Sequence, residues 1–492
     1  MKKKSLKLNF IMNALLTMSS FIFPLITFPY VSRILLPAGT GKVSFATSLI
    51  SYFAMFAQLG IPTYGIRACA KVRDDKQKLT KTVHELFIIN LIMSIISYVI
   101  LFIMLFTVPK LQHEKTLYMI VSLTVFFNLI GMEWLFKGLE QYSYITIRSI
   151  IFKAVALVLM FMLVHEKSDY IIYGAITIFA GSAAHTMNFF YARKFISFRP
   201  MKNYEFRPHL KAVAVFFAMA CATTIYTHLD TVMLGFMTTD EDVGYYNAAV
   251  KIKTILVSIV TSLGTVLLPR ASYYVEHGQM AEFRRISSKA LNFVFLISVP
   301  LATYFMIFAK EGIFFLSGTS YADSILPMQI IMPTLILIGL TNILGIQILV
   351  PLGREKTVLY SEIVGAVVDL ALNALLIPSM ASAGAAIGTL MAELAVFIYQ
   401  FIALRKDISE AFRSVKYWKI ITGIVIASAV SILTKYLHVR VFITLVISAI
   451  VFFGIYFVFL LITKEKLISE IMNQIKEKLL QIIKKFLKRK EF

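Results

Sequence analysis

The sequence predicts an all-α polytopic membrane protein of about 14 transmembrane helices: two six-helix lobes, two further helices and a basic amphipathic tail. Three observations predict it. Mean hydropathy is +0.78, and 58% of the 492 residues are hydrophobic while 15% are charged, where a water-soluble domain carries about 25% charge. Apolar runs of about 20 residues recur from end to end, each long enough to cross roughly 30 Å of hydrocarbon as a helix. Lys and Arg crowd into every second loop.

Run length and periodicity place the spans at 10–32, 43–66, 84–108, 116–136, 143–164, 170–192, 212–236, 245–269, 289–309, 325–351, 357–377, 383–404, 417–436 and 441–463. The first follows Met1-Lys2-Lys3-Lys4; it is too long for a signal-peptide core and has no small-residue cleavage site, so it reads as a retained span. With the N-terminus placed inside, the inner segments hold 36 of the 49 Lys and Arg. The outer ones hold seven: Lys42, Lys110, Lys115, Lys167, Lys310, Lys435 and Arg440. This asymmetry predicts both termini in the cytoplasm and an even number of spans. It also accounts for the net charge of +22 without nucleic acid. The outer loops are short, the longest near 310–324, which leaves no room there for a domain. Two cysteines, Cys69 and Cys221, argue against a disulfide framework or a thiolate cluster. In the tail, Ile468, Ile471, Ile475, Leu479, Ile482 and Phe486 recur at helical spacing opposite basic residues. That pattern suits a helix on an anionic membrane surface, or one that docks on a partner.

The stretch 30–67 recurs at an offset of about 203: Gly41 matches Gly244, Ala46 matches Ala249, and Arg67-Ala68 matches Arg270-Ala271. The expected division is therefore 1–205 and 206–410 as two parallel six-helix lobes, 411–463 as two added helices and 464–492 as the tail. Two such lobes facing each other leave a path for a substrate between them.

Polar residues inside the spans mark that path. Lys251, Thr254 and Ser258 share one face of span 8, and Ser48, Ser51 and Gln58 occupy similar positions in span 2. Membrane hydroxyls often bond only their own helix. A lysine on the same stripe costs at least about 2.5–3.5 kcal/mol to insert, so it needs water or a partner. Arg33 closes span 1, Arg148 and Lys153 interrupt span 5, and Arg67 and Arg270 end spans 2 and 8, where inner-face anchoring is an equal explanation. Guanidinium forks and lysine point charges suit phosphate, so the cations imply a substrate with an anionic head. Asp230, Asp369, Asn373 and Thr389 lie at similar depth, roughly 6–12 Å below the outer surface. With a carbonyl near Gly384 and Gly388 they are hard oxygen ligands for a small cation; separately paired carboxylates or a proton site are the alternatives. Glu133 and Glu362 can pair with Arg148 or Lys153, and His84, His185 and His228 read as packed histidines. No Walker loop, HExxH or GxSxG occurs, so nothing points to an enzyme.

The segments SRILLPAGTGKVSFATSLISYF, QLGIPTYGIR, GMEWLFKGLEQY, HLDTVMLGFM, GYYNAAVKIKTI, SLGTVLLPRASYY and SAGAAIGTLMAE resemble the polysaccharide repeat-unit (Wzx-type) flippases. These belong to the multidrug/oligosaccharidyl-lipid/polysaccharide exporter superfamily, and the resemblance spans about residues 10–405. It implies movement of undecaprenyl-pyrophosphate-linked oligosaccharide units from the inner to the outer leaflet of the bacterial cytoplasmic membrane, for capsule, O-antigen or exopolysaccharide assembly. It implies alternating access driven by a sodium or proton gradient, with no other cofactor. Polysaccharide polymerase and glycosyltransferases are the implied partners. The cationic cavity of such proteins maps onto Arg33 and Lys251. The sodium site of the lipid II branch maps onto Asp230, Asp369, Asn373, Ala385 and Thr389, with the Asn/Asp order on span 11 reversed. A multidrug/toxin extruder of the same superfamily is the alternative, though it favours an acidic cavity. A polysaccharide polymerase or ligase would want a large outer loop bearing arginines.

Overall fold

The computed structural model describes residues 6–437, 439–470, 472–473 and 477. All regular elements among them are helical. Most of the expected amphipathic tail, 464–492, lies outside the described residues. Nine helices among the described residues are long and apolar enough to cross a membrane, or ten if the bent pair Thr319–Ile331 and Thr334–Leu349 forms one span. The expectation of 14 differs for identifiable reasons. Helix Leu6–Gln58 runs through Leu36 (φ 57, ψ 179), and Glu355–Ser414 runs through Ala381 (φ 46, ψ −123). A straight helix of 53 residues would extend about 80 Å, well over twice the hydrocarbon thickness. Each of these helices therefore has the length of two passes joined at its break. Lys115–Gly131 has only 17 residues, and a π segment at Phe179–Ala183 divides the apolar run 170–192.

Local chemistry sets the breaks. Leu36 precedes Pro37, and the proline ring excludes the helical region for the residue before it. Leu59 and Gly60 both have positive φ (46° and 72°), and Ile61-Pro62 then restarts the chain as helix Ile61–Val72. A Cβ on Gly60 would lie 2.4 Å from Phe217 N, so only glycine lets this turn press against helix Arg207–Met237. Asp75 caps helix Lys76–Thr107 by accepting from Gln77 N and Lys78 N at 3.0 Å each. The Lys78 bond is the main reason its carboxyl is held below the usual range. Ala381 carries no such compensation for its left-handed φ. Ala381→Gly is expected to stabilise the protein by about 1 kcal/mol, seen as a higher unfolding temperature in detergent.

The chain packs as two units. The first comprises Met1–Ala248, Leu316–Ser324 and Asp369–Gly388. In it, Leu6–Gln58 packs against Lys76–Thr107, Lys115–Gly131, Tyr142–Leu163 and Arg207–Met237. One core surrounds Cys69, Trp134, Leu135 and Phe136; another surrounds Val31, Leu35, Met160 and Ile176. Helix Lys76–Thr107 shows how a membrane sorts residues. Ile92, Ile95, Val99, Ile103 and Phe106 are exposed, while Ser94, Ser97, Leu101 and Leu105 are buried. Over 92–106 the exposed face is wholly apolar, as a lipid-facing surface requires, while the face against protein mixes serines with leucines. Interior amides close gaps in the backbone: Asn90 Nδ2 donates to Ala57 O at 2.6 Å, and Asn188 Nδ2 donates to Gly131 O at 2.7 Å.

The second unit comprises Ala249–Phe315, Ile325–Val368 and Thr389–Phe492. Met280–Ile307 packs against Thr334–Thr341 and Tyr417–Ile432, and the latter pairs with Val441–Ile462. Tyr304 fastens this group: its hydroxyl donates to Leu445 O at 2.9 Å and meets Ser448 Oγ at 2.8 Å. Beyond the last span, Asn292 Nδ2 donates to Glu465 at 2.9 Å, and Lys289 pairs with Glu470 at 2.6 Å.

Candidate functional site

Asp230 sits on helix Arg207–Met237, 6% exposed. Asp369 and Asn373 lie one turn apart on the segment that precedes the Ala381 break, 2% and 0% exposed. The first unit brings these three together. Asn373 Nδ2 donates to Asp230 Oδ1 at 2.6 Å, and the Tyr246 hydroxyl donates to Asp230 Oδ2. A Cβ on Gly388 would lie 2.2 Å from Asn373 Oδ1 and 3.2 Å from Asp369 Oδ1. The bare face of Gly388 is thus where the amide and second carboxylate converge, and Ala385, three residues earlier, is fully buried. Asn373 Oδ1 is buried with no hydrogen-bond partner among the described residues. The Tyr52 hydroxyl is also buried without one, within electrostatic reach of both carboxylates. Thr389 is buried and follows Gly388 in the chain. Oxygen donors alone, with an amide oxygen to spare, fit a hard cation better than a thiophilic or imidazole-seeking metal. Tyr246 and Tyr52 were not legible as members of this cluster, since neither stands out from the other aromatic residues of the spans.

The basic candidates are spread over both units. In the first, Arg33 ends the helical run before Leu36; its guanidinium donates to Pro29 O and to Leu316 O, the latter at 3.4 Å. Ser32 Oγ also donates to Leu316 O, at 3.3 Å. Arg67 is exposed on helix Ile61–Val72. In the second unit, Lys251 is partly buried and Arg270 is exposed, both on helix Asp240–Glu276. Most of the hydroxyl candidates are satisfied by their own helix: Ser51 donates to Thr47 O at 2.8 Å, Thr254 to Val250 O at 2.8 Å and Ser258 to Ile255 O at 2.6 Å. Ser48 instead meets His228 Nδ1 at 3.2 Å. Gln58 is partly buried at the end of the first long helix.

Arg148 belongs to a different constellation. It is 3% exposed, and its guanidinium donates to Glu133 Oε2 at 3.1 Å and Ala184 O at 3.0 Å. Glu133 also accepts from Lys137 at 2.9 Å and meets His185 Nε2 at 2.9 Å. One carboxylate thus anchors three basic side chains, and Lys153 bonds Ser19 and Ser20 Oγ instead, both at 2.9 Å. Breaking a buried pair from one side costs about 3–5 kcal/mol. Glu133→Ala is expected to lose most of that in thermal unfolding, with Glu133→Gln/Arg148→Met recovering part of it.

A polytopic helical chain with a buried carboxylate–amide cluster and basic residues along its spans has the build of a membrane transport protein. The chain belongs to the polysaccharide biosynthesis protein family, whose model matches residues 6–275, more than half of its length. Residues 215–375 also match the model described as MatE. A protein of Escherichia coli (strain K12) named for O-antigen transport is 27% identical over 357 residues, 72% of this chain and 86% of that one. Another of that name from Shigella dysenteriae is 24% identical over 82% of this chain and all of its own length. Among solved structures, the lipid II flippase MurJ in an inward closed conformation superposes with a TM-score of 0.71 at 16% identity, covering 92% of this chain and 100% of that one. An inward-facing multidrug resistance transporter of the MATE family gives 0.61 at 13% identity, over 82% of this chain and 99% of that one. These relatives and neighbours are named as transporters and flippases, and the structural likenesses establish the shared fold.

Proposed function

We propose that this protein flips undecaprenyl-pyrophosphate-linked oligosaccharide units from the inner to the outer leaflet of a bacterial cytoplasmic membrane, with both termini in the cytoplasm. The observation that carries this reading is the sequence relation to two proteins named for O-antigen transport, one of them matched along its whole length. In this reading Arg33, Arg67, Lys251 and Arg270 handle the pyrophosphate, and the sugars meet Ser48, Ser51, Gln58, Thr254 and Ser258. Arg148 serves the fold, because its guanidinium is held by Glu133. Asp230, Asp369 and Asn373, with Ala385 and Thr389, take the coupling cation, sodium or a proton, and alternating access follows from its binding and release. The lobes 1–205 and 206–410 are the moving parts. Polymerase and glycosyltransferases work on either side of the transport step.

The test is reconstitution. Vesicles holding purified protein and undecaprenyl-pyrophosphate-linked oligosaccharide on one leaflet are treated with a membrane-impermeant glycosidase on the other. Cleavage is expected to rise with protein and to accelerate under an imposed sodium or proton gradient. Unchanged cleavage with folded protein would overturn the substrate, and gradient-independent cleavage would overturn the coupling.

A further inference from the structure

Three side chains from three helices form a continuous polar chain in the first unit. Glu85 on Lys76–Thr107 accepts from His209 Nε2 at 2.8 Å, and His209 Nδ1 meets the Tyr64 hydroxyl at 2.8 Å. His209 stands in the first turn of Arg207–Met237, and Tyr64 stands on Ile61–Val72. The Glu85 and His209 side chains are 4% and 12% exposed. The other oxygen of Glu85 accepts from Glu205 N at 2.7 Å, and Lys81 stands 3.9 Å from the same carboxylate. The carboxylate accepts the hydrogen bond from Nε2–H, so in the neutral ring Nδ1 is the acceptor and the tyrosine hydroxyl the donor.

Helix Ile61–Val72 is packed on one face and open on the other. Gly60 presses its start against the backbone of Phe216 and Phe217, and Gly65 lies where a Cβ would sit 2.7 Å from the Trp134 ring. Ile61, Ala68 and Cys69 are buried on the packed face, while Tyr64 is half-buried and Arg67 is exposed. The Tyr64 hydroxyl acts at the end of a long side chain, where a hydrogen bond has leverage over rotation of the helix about its axis. Arg67 is three residues on from Tyr64, about 60° around the same helix, so both project from one side. We propose that Glu85–His209–Tyr64 is a positioning relay that sets the roll of this helix and with it the direction of Arg67. His209 and Tyr64 would then be positioning residues for the anionic head of the substrate, an assignment that rests on the proposed role of Arg67.

Two measurements separate the relay from that role. The first reads direction alone: a spin label at position 67 of a background lacking Cys69 and Cys221, with a reference label at an unrelated helix. His209→Leu and Tyr64→Phe are expected to shift the distance distribution, and His209→Gln, which can still donate to Glu85 and accept from Tyr64, is expected to restore it. Unmoved labels, or no rescue by glutamine, overturn the relay. The second is transport in the vesicle assay. Arg67→Ala, His209→Leu and Tyr64→Phe are each expected to raise the half-saturating concentration of lipid-linked oligosaccharide about tenfold with maximal rate kept. Combining Arg67→Ala with His209→Leu should add nothing further, since both remove one interaction. Effects that multiply overturn the link to Arg67. A label that moves while Arg67→Ala transports normally overturns the role of Arg67 and leaves the relay standing.

Discussion

Asp230→Ala is expected to lower transport by about 5- to 150-fold. The carboxylate receives the Asn373 amide on one oxygen and the Tyr246 hydroxyl on the other. Removing it leaves both donors in a site where Asn373 is fully buried. An unsatisfied buried group of this kind costs about 1–3 kcal/mol, which is that range of fold-change in the population of the assembled cluster. Asp230→Asn separates charge from shape, because its amide oxygen can still accept from Asn373 while the negative charge is gone. If the cluster holds a cation, Asp230→Asn transports as poorly as Asp230→Ala. Thermal unfolding supplies an independent reading. A cation present at 100 times its dissociation constant stabilises the folded state by about 2.7 kcal/mol. The wild-type unfolding temperature should therefore rise with sodium or respond to pH, and that of Asp230→Asn should do neither. A wild-type protein indifferent to both ions, together with an active Asp230→Asn, would sink the coupling site.

Gly41→Ala and Gly244→Ala should each abolish the yield of folded protein. A Cβ on Gly41 would stand 1.7 Å from Asp240 O and 2.9 Å from Gly244 N. A Cβ on Gly244 would stand 2.2 Å from Pro37 O. Each glycine is therefore pressed on by backbone from the other's segment, and backbone has no alternative rotamer to offer. Overpacking typically costs about 1–3 kcal/mol where side chains can shift, and here the cost exceeds that. Gly454 is the control: nothing lies within 4 Å of its Cβ position, and Gly454→Ala inside helix Val441–Ile462 should stabilise by about 0.5–1 kcal/mol. Size-exclusion chromatography of detergent extracts reads all three. Equal tolerance of Gly41→Ala and Gly454→Ala would show that the crossing is looser than described.

These glycines also show what was legible in the chain. Gly41 and Gly244 were matched by their spacing, but spacing says nothing about which backbone a glycine meets. Helical spans were readable because burial in lipid forces runs of apolar residues whatever the packing. Their ends were readable where a local rule acts, as at Leu36-Pro37, and less so at Ala381, whose conformation no neighbouring residue demands. Asp230, Asp369 and Asn373 could be grouped by depth, since charge and amide inside hydrocarbon are conspicuous. Tyr246 and Tyr52 could not, because a tyrosine in a span is ordinary until its hydroxyl is located. Arg148 could be read either as a cavity cation or as a partner of Glu133, and the coordinates select the pairing with Glu133. The hydroxyls of Ser51, Thr254 and Ser258 lie on a polar stripe in sequence, yet each bonds a carbonyl of its own helix.

The bond between Asn373 and Asp230 joins positions 143 residues apart. At a synthesis rate of about 5–20 residues per second, Asp230 is made roughly 7–30 s before its amide partner. Tyr246, only 16 residues on, arrives within a few seconds and is the sole one of the two to reach it early. For the interval between them, a carboxyl seven residues from the end of helix Arg207–Met237 has yet to receive its amide partner. The cluster is consequently among the last parts of the first unit to be completed. A ribosome stalled between Asp230 and Asn373 would hold a chain whose helices are largely made but whose carboxylate has yet to find its amide.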